Sequence, residues 1–368
     1  MKLGDITRES RETFKGDKTG IPIVGLEHLI PQELTFSAYD VDTDNTFTKM
    51  FHKGQILFGR RRAYLKKAAV AEFDGICSGD ITVIEAIPGK VDKDLLPFII
   101  QNDALFDYAV SRSAGGLSPR VKWEQLSDYE INLPPIEDQK VLADKLWAAY
   151  RLKEGYKKLL CATDEMVKSQ FIEMFGNPLF NTKKWKWYSN INNVVTIVLG
   201  STPNTKEPKY WDGDIKWVTP AEMDDETFMI NDTLRHITEF GVKSANLTKL
   251  PIGSVLFSTR APIGKVGIAA AEMYCNQGLK SFICSNQVDS IFLYYTLKLN
   301  KEYLCSLGTG TTFKELSKKT VEGLKLGVPP IDLQKQFAII YKQADKSKFE
   351  LKQCIENIDK VIKSLING

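Results

Sequence analysis

The octapeptide LPPIEDQK at residues 133–140 returns almost unchanged as VPPIDLQK at 328–335, 195 positions later. The echo extends upstream of both copies. GQILFGRRRA at 54–63 is matched by GSVLFSTRAP at 253–262, which share Gly54/Gly253, Leu57/Leu256, Phe58/Phe257 and Arg61/Arg260, and SAGG at 113–116 falls opposite GTGT at 308–311. A period this long is not that of a stacked solenoid, whose units run ~20–50 residues. It is the period of a duplicated domain, so the chain is expected to carry near two-fold symmetry within itself.

Each half has the same internal style. Residues 1–132 mix short β-type runs (IPIVG, QILFG, ICSGDITVIEA) with Gly, Pro, Asn and Asp, and 176–327 repeat the pattern with NVVTIVLG, DIKWVTP, GSVLFSTR, VGIAAAEM and KSFIC. That is the texture of a small α/β or β-rich globule. Each half closes on a Pro-Pro pair, where a strand must stop and a helix can begin. After the second pair, Phe337, Tyr341, Ala344, Lys348, Leu351, Ile355, Ile358, Ile362 and Leu365 alternate spacings of four and three. This is a heptad seam, and the residues between are mostly polar. The register recurs after the first pair at Leu142, Leu146, Ala149, Lys153, Tyr156, Leu160, Thr163, Val167 and Gln170. Neither helix contains Pro, and Gly155 is the one internal Gly.

The span from 142 to 170 is roughly 42 Å at 1.5 Å per residue, too long for a globule of this size to bury. The two helices are therefore expected to pair with each other, antiparallel, with a globule at each end. Lys153 and Lys348 fall at matching seam positions. A polar seam residue can fix register at a cost in stability; the preferred expectation is that both lysines snorkel outward. The predicted fold is α/β (α+β): globules at 1–135 and 176–330 and spacer helices at 136–175 and 331–368, arranged with pseudo-two-fold symmetry.

The 43% hydrophobic and 26% charged fractions are those of an ordinary globular protein. No apolar run reaches the ~18–20 residues that span a bilayer, and the N-terminus has no apolar signal region; a cytoplasmic protein without membrane contact is expected. Six cysteines and three histidines lie scattered without metal-ligand or disulfide spacing. The thiols read as reduced, buried small hydrophobes, and no metal site is expected.

Several strings imitate catalytic motifs. Asn177-Pro178-Leu179-Phe180 approaches the motif with which adenine methyltransferases hold their target, but it lacks the second Pro and a preceding Gly-rich cofactor loop. Pro135-Ile136-Glu137-Asp138-Gln139-Lys140 faintly resembles a Mg²⁺ nuclease site, yet its repeat copy at 330–335 has lost one acid, and acids at a helix start are explained by the macrodipole. Gly16-Asp17-Lys18-Thr19 ends like a P-loop without its upstream Gly. No catalytic residue is expected.

Binding constellations are better formed. The net charge of +3 is mild, but basic residues cluster at Arg60, Arg61, Arg62, Lys66 and Lys67, at Lys183, Lys184 and Lys186 around Trp185 and Trp187, and at Lys314, Lys318 and Lys319. Arg61 and Arg260 end equivalent hydrophobic strands, where a guanidinium can pair with guanine or clamp a phosphate. The small-residue loops at 113–118 (Ser113, Gly115) and 308–312 (Gly310, Thr311) lead into Arg120, Lys122 and Lys314, and small residues let backbone N–H groups approach phosphates. A pseudo-dimer with such loops suits a split, roughly palindromic partner, of which double-stranded DNA is the commonest.

Globule, Pro-Pro, long helix, and then all three again: this resembles the specificity subunit of type I restriction–modification systems. The resemblance is carried by LPPIEDQK and VPPIDLQKQ, by MFGNP at 174–178, by LFSTRAPIGKVGIA at 256–269 (with Lys265) and by CNQGLKSF at 275–282. It covers the whole chain. The first half departs from it, with RRRAYLKKAAV and CSGDITVI in the corresponding places. The resemblance implies a non-catalytic chain whose two target recognition domains each read one part of a bipartite, asymmetric DNA sequence. It also implies that the helices space the domains and dock two methyltransferase subunits, with restriction subunits in the full complex. S-adenosylmethionine, Mg²⁺ and ATP would then sit on those partners and no cofactor on this chain. The competing reading is a coiled-coil scaffolding protein that never touches DNA.

Overall fold

A computed structural model of the chain describes residues 1–224, 228–310 and 314–367. The chain divides into two compact units, Met1–Lys158 with Leu351–Gly368, and Leu159–Glu350. Both divisions fall inside long helices, which run Ile136–Phe175 and Ile331–Asn367.

In the first unit the central sheet has four antiparallel strands in the order Thr7–Ser10, Ile81–Ala86, Ile56–Gly59, Ala68–Val70. Its two inner strands are buried on both faces, over Ile56–Gly59 and over the first four residues of Ile81–Ala86. Ile56, Phe58 and Ile84 point into a cluster with Leu96, Phe98, Leu105 and Phe106 from the helical segments. Leu57, Ile81 and Val83 point the other way, into a cluster with Val24, Phe51 and Cys77 of a three-stranded sheet. The alternation is the period of two that a pleated strand imposes.

The second unit repeats this plan. Val255 and Phe257 face the cluster holding Phe292 and Leu293 of helix Ser290–Leu299, while Leu256 faces Val218 and Cys275. The parallel pairing Val24↔Cys77 recurs as Val218↔Cys275. In the second unit Trp211–Val218 also pairs antiparallel with His236–Ile237, and Arg235 stacks 3.7 Å from the Trp211 ring centre. The fold is α+β, with two similar domains.

Each Pro-Pro-x₃-Gln junction has a structural cause. Gln139 and Gln334 are buried polar side chains at equivalent positions. The Gln139 amide donates to the Pro134 carbonyl and accepts from the Asp92 N–H, at 3.0 and 2.9 Å. Gln334 donates to Pro329 and Gln287 carbonyls and accepts from the Asp289 N–H, at 2.8, 3.0 and 2.8 Å. One planar amide thus satisfies backbone groups from separate segments that would otherwise be buried without partners.

The helices pair antiparallel within each unit. In the first, Leu142, Leu146, Trp147 and Tyr150 share a cluster with Ile362, Leu365 and Ile366. In the second, Val167, Phe171 and Phe175 share one with Phe337, Tyr341 and Ala344, with ring centroids 5.0 Å apart for Phe171–Phe337. Every predicted seam residue, including Tyr156, Leu160, Leu351, Ile355 and Ile358, is buried or half-buried. The seam lysines do not behave as the preferred expectation had it. Their side chains are only 12% (Lys153) and 16% (Lys348) exposed, and each amine bonds a carboxylate of the facing helix: Lys153–Asp359 and Lys348–Asp164, both at 2.6 Å. The repeat carries Lys153 onto Lys348 and Asp164 onto Asp359, so one interaction has been built twice. A charge placed this way opposes a sliding register, because any slip strands a desolvated ammonium.

Replacing Gln334 with Leu is expected to cost about 1–3 kcal/mol, the penalty for buried backbone groups left unpaired; chemical denaturation giving wild-type stability would contradict the role assigned to the amide. Gly155 lies exposed within a helix, and a methyl group added at its Cα would meet nothing within 4 Å beyond its chain neighbours and its own helix backbone. Gly155→Ala should therefore raise stability by about 0.5–1 kcal/mol, read as a higher denaturation midpoint.

Candidate nucleic-acid interface

In the first unit, strand Ile56–Gly59 delivers Arg60, Arg61 and Arg62 to a loop held in place by backbone hydrogen bonds. Arg60 donates to the Asp80 carbonyl (3.0 Å), its own carbonyl accepts from Val121 (3.0 Å), and Arg62 donates to Pro119 (2.8 Å). Ala114 and Arg120 exchange both backbone bonds, at 3.0 and 2.9 Å, closing a loop in which Gly115 takes φ +117°. That is a conformation L side chains rarely adopt. At the loop's tip Leu117 is 97% exposed.

The second unit builds the same loop. Thr259 donates to the Gly278 carbonyl (2.8 Å) and accepts from Leu316 (2.9 Å), Thr309 and Glu315 exchange backbone bonds at 3.1 and 2.9 Å, and Gly310 has φ +119°. Arg61 bridges to Arg120 in one unit as Arg260 bridges to Glu315 in the other. The expected correspondence of Arg61 with Arg260 and of Gly115 with Gly310 is therefore met in backbone geometry. Thr311 lies outside the described residues.

The side chains differ. Arg61 donates from Nη1 to Asp80 (3.2 Å) and from Nη2 to the Ser118 hydroxyl (3.0 Å), and Arg120 grips the same carboxylate through Nε at 2.7 Å. In the second unit Arg260 Nε bonds Glu315 at 3.0 Å, and Lys280 reaches the other oxygen at 3.3 Å. Lys280 is a deeply placed lysine, 8% exposed, which also bonds the Thr259 hydroxyl (3.0 Å) and the Leu316 carbonyl (2.6 Å). Burial lowers the Lys280 pKa, against the opposing pull of Glu315. Burial also works against ionisation of Asp80 and Glu315. It is outweighed by the hydrogen bonds and charge of Arg120 and Arg61 in one case, and of Arg260 and Lys280 in the other, so both carboxyls titrate below their ordinary range.

Several predicted contacts have other employment. Lys66 pairs with Asp103 at 2.6 Å, which also holds Lys363 at 2.8 Å; its αL backbone turns the chain there. The Ser113 hydroxyl donates to the Ala109 carbonyl of its own helix at 2.8 Å, which withdraws it from a phosphate-binding role. Lys265 is half-buried and donates to the Pro220 carbonyl at 2.9 Å. Lys183 bonds the Glu173 carbonyl at the end of the first long helix, and Lys184 lies beside it in the linker after that helix. Neither is brought to Arg260. Arg62, Lys122 and Lys314 remain exposed around the loops. The sequence reading missed Asp80, Ser118, Lys280 and Glu315. One signal for them was visible, since Arg120 and Glu315 occupy equivalent places with opposite charge.

One other cluster of metal-ligating side chains stands out among the described residues. Glu27, His28 and Asp40 bring ligand atoms within 4.8 Å of one another, but the His28 Nδ1 accepts the Gly25 N–H at 2.9 Å. The neutral ring then carries its proton on Nε2, facing Asp40, and offers a cation no lone pair. Cys77 and Cys275 are buried, with burial pushing their thiols up to about 12 and about 11. Cys161, against expectation, is exposed. Among the described residues no helix is long and apolar enough to cross a membrane.

Residues 1–160 and 182–360 match the family described as the type I restriction modification DNA specificity domain. The chain belongs to that family. It is 34% identical over 189 residues to the type I restriction enzyme MjaIX specificity subunit of Methanocaldococcus jannaschii, covering 50% of this chain and 44% of that protein. The chain thus spans under half the length of that relative. It is 24% identical to the putative MjaX specificity subunit of the same organism, over 95% of this chain and 86% of that one. The type I restriction-modification S subunit from M. genitalium shares its fold at a TM-score of 0.61 with 12% identity, over 100% of this chain and 94% of the other. A chain from a study of complex assembly and conformational transition of the type I R-M system does so at 0.58 with 18% identity, over 100% and 96%. Membership of the family accounts for the doubled architecture.

A pH dependence follows from the carboxylates. Because the folded pKa of Asp80 lies below its ordinary 3.8, its pairing stabilises the fold above that value, and the contribution is lost as pH falls through the folded pKa. Denaturation midpoints measured from pH 6 down to pH 2.5 should fall less steeply for Asp80→Asn than for wild type; parallel curves would remove Asp80 from the titration.

Proposed function

We propose that this chain is the non-catalytic, sequence-reading subunit of a type I restriction–modification complex. Each globule reads one part of a bipartite, asymmetric sequence in double-stranded DNA. The long helices dock two methyltransferase subunits, and restriction subunits join the full complex. Those partners hold S-adenosylmethionine, Mg²⁺ and ATP, and methylation and cleavage belong to them.

The observation that carries this reading is the loop built twice: a strand-end arginine beside a left-handed glycine, fixed by the same backbone bonds in both units. A guanidinium fork held just past the end of an inner strand is suited to base edges or phosphates, and exposed cations around it supply the sequence-independent part of affinity. The loops differ in side chains, so each unit is suited to its own short sequence.

Arg61→Ala and Arg260→Ala are each expected to relax recognition in one half of the target, by about 1–3 kcal/mol if the contact is to a base. A phosphate contact would instead weaken binding to all sequences alike. Mapping methylated adenines in DNA from cells that carry the variants with the methyltransferase partner would show this. If both mutants methylate the wild-type motif at wild-type level, these arginines are not part of the interface.

A further inference from the structure

The two loops share a backbone but carry their charges in different places. In the first unit a carboxylate on the turn before strand Ile81–Ala86 (Asp80) sits between Arg61 and Arg120. In the second, the backbone place of Asp80 is taken by Gly278, and that of Arg120 by Glu315. Leu279 lies opposite Ser258 as Ile81 lies opposite Gly59, which puts Lys280 where the first unit has Thr82. The rearrangement leaves two cations around one carboxylate in each unit, one of them the strand-end arginine. Arg61 and Arg260 are 37% and 47% exposed. The second cations differ: Arg120, at 42%, is slightly more exposed than Arg61, while Lys280, at 8%, lies well inside Arg260.

A carboxylate is an odd neighbour for a residue meant to grip a polyanion, since it weakens attraction to phosphate. Its gain is orientation. A free arginine side chain carries large rotamer entropy and reaches whichever phosphate is near. One held through some of its N–H groups presents its remaining donors in a single plane. In Arg260 the bond is made through Nε, and its terminal amino groups have no partner among the described residues. In Arg61 the bonds to Asp80 and Ser118 set the plane of the fork from both ends.

We infer that Asp80 and Glu315 are specificity-determining positioning residues: each fixes the strand-end arginine of its unit in a base-reading orientation at the expense of non-specific attraction to DNA, with Arg120 and Lys280 balancing their charge. This rests on the DNA-reading function proposed above and names residues that act through the arginines.

The test uses the full chain with its methyltransferase partner and three duplexes: one with the methylated motif and two with a single half scrambled. Binding is measured over a series of salt concentrations. Asp80→Asn and Glu315→Gln should each lose about tenfold in discrimination at one half-site, the low end for a bidentate base contact. At the same time affinity for the scrambled duplexes should rise, with the salt dependence steepened by about one phosphate equivalent. Damage to the fold would lower both affinities together, so the opposite signs mark a positioning role. The double variant Lys280→Met/Glu315→Gln restores the charge balance; its scrambled-duplex affinity should return to wild type while discrimination stays lost. Recovery of discrimination in that double variant would overturn the proposal. So would single variants that discriminate like wild type, or that lose specificity at one base pair with no gain in non-specific affinity, the mark of a carboxylate touching a base. A wild-type chain that prefers none of the three duplexes would instead defeat the DNA-reading function itself.

Discussion

One buried glutamine amide fastens each long helix to its globule, and much else in each unit depends on that joint. A tandem proline cannot donate hydrogen bonds, and the first turn of a helix has N–H groups without partners. The junction is therefore short of internal bonds where it must also be rigid. Gln139 and Gln334 resolve this from inside, tying the carbonyl before the helix to the N–H of Asp92 or Asp289, the residue that opens the next helical stretch. With three segments held by one planar group, the helix leaves the globule in a set direction. Its apolar face then meets the cluster of its own unit.

Along the seam, packing and charge divide the work. Aromatic and aliphatic contacts bring the helices together without fixing how far one slides past the other. The Lys–Asp pairs add a positional constraint, since each ammonium is largely withdrawn from water and has its carboxylate at one place on the facing helix. Such pairs contribute little net stability when partly exposed. Their effect is on register.

The recognition loops show how a duplicated scaffold diverges. Backbone bonds, glycine conformation and the strand-end arginine are common to both units, while the acid and the second cation have moved to new positions. Each arginine keeps one carboxylate and one further bonded cation on that carboxylate, while Arg60 and Arg62 beside Arg61 give way to Thr259 and Ala261 beside Arg260.

By itself the sequence determined the duplication, the extent and seam of the long helices, the equivalence of Arg61 with Arg260, and the family. The first three are written in local periodicity or in repeated strings, and the family in strings that resemble its members; none needs knowledge of which strand lies beside which. The tertiary structure alone decided the partners of the charges. Asp80 meets Arg120 and Lys280 meets Glu315 across 40 and 35 residues of chain, and strand register, not spacing, brings them together. The same holds for the seam lysines: Asp164 and Asp359 fall one position outside the apolar stripe, where a heptad reading counts them as solvated. Lys66 was read from a basic cluster and Lys265 from a string that resembles the family, and neither signal gives the direction of a side chain. Only the folded chain shows that one is turned to a helix carboxylate and the other to a backbone carbonyl.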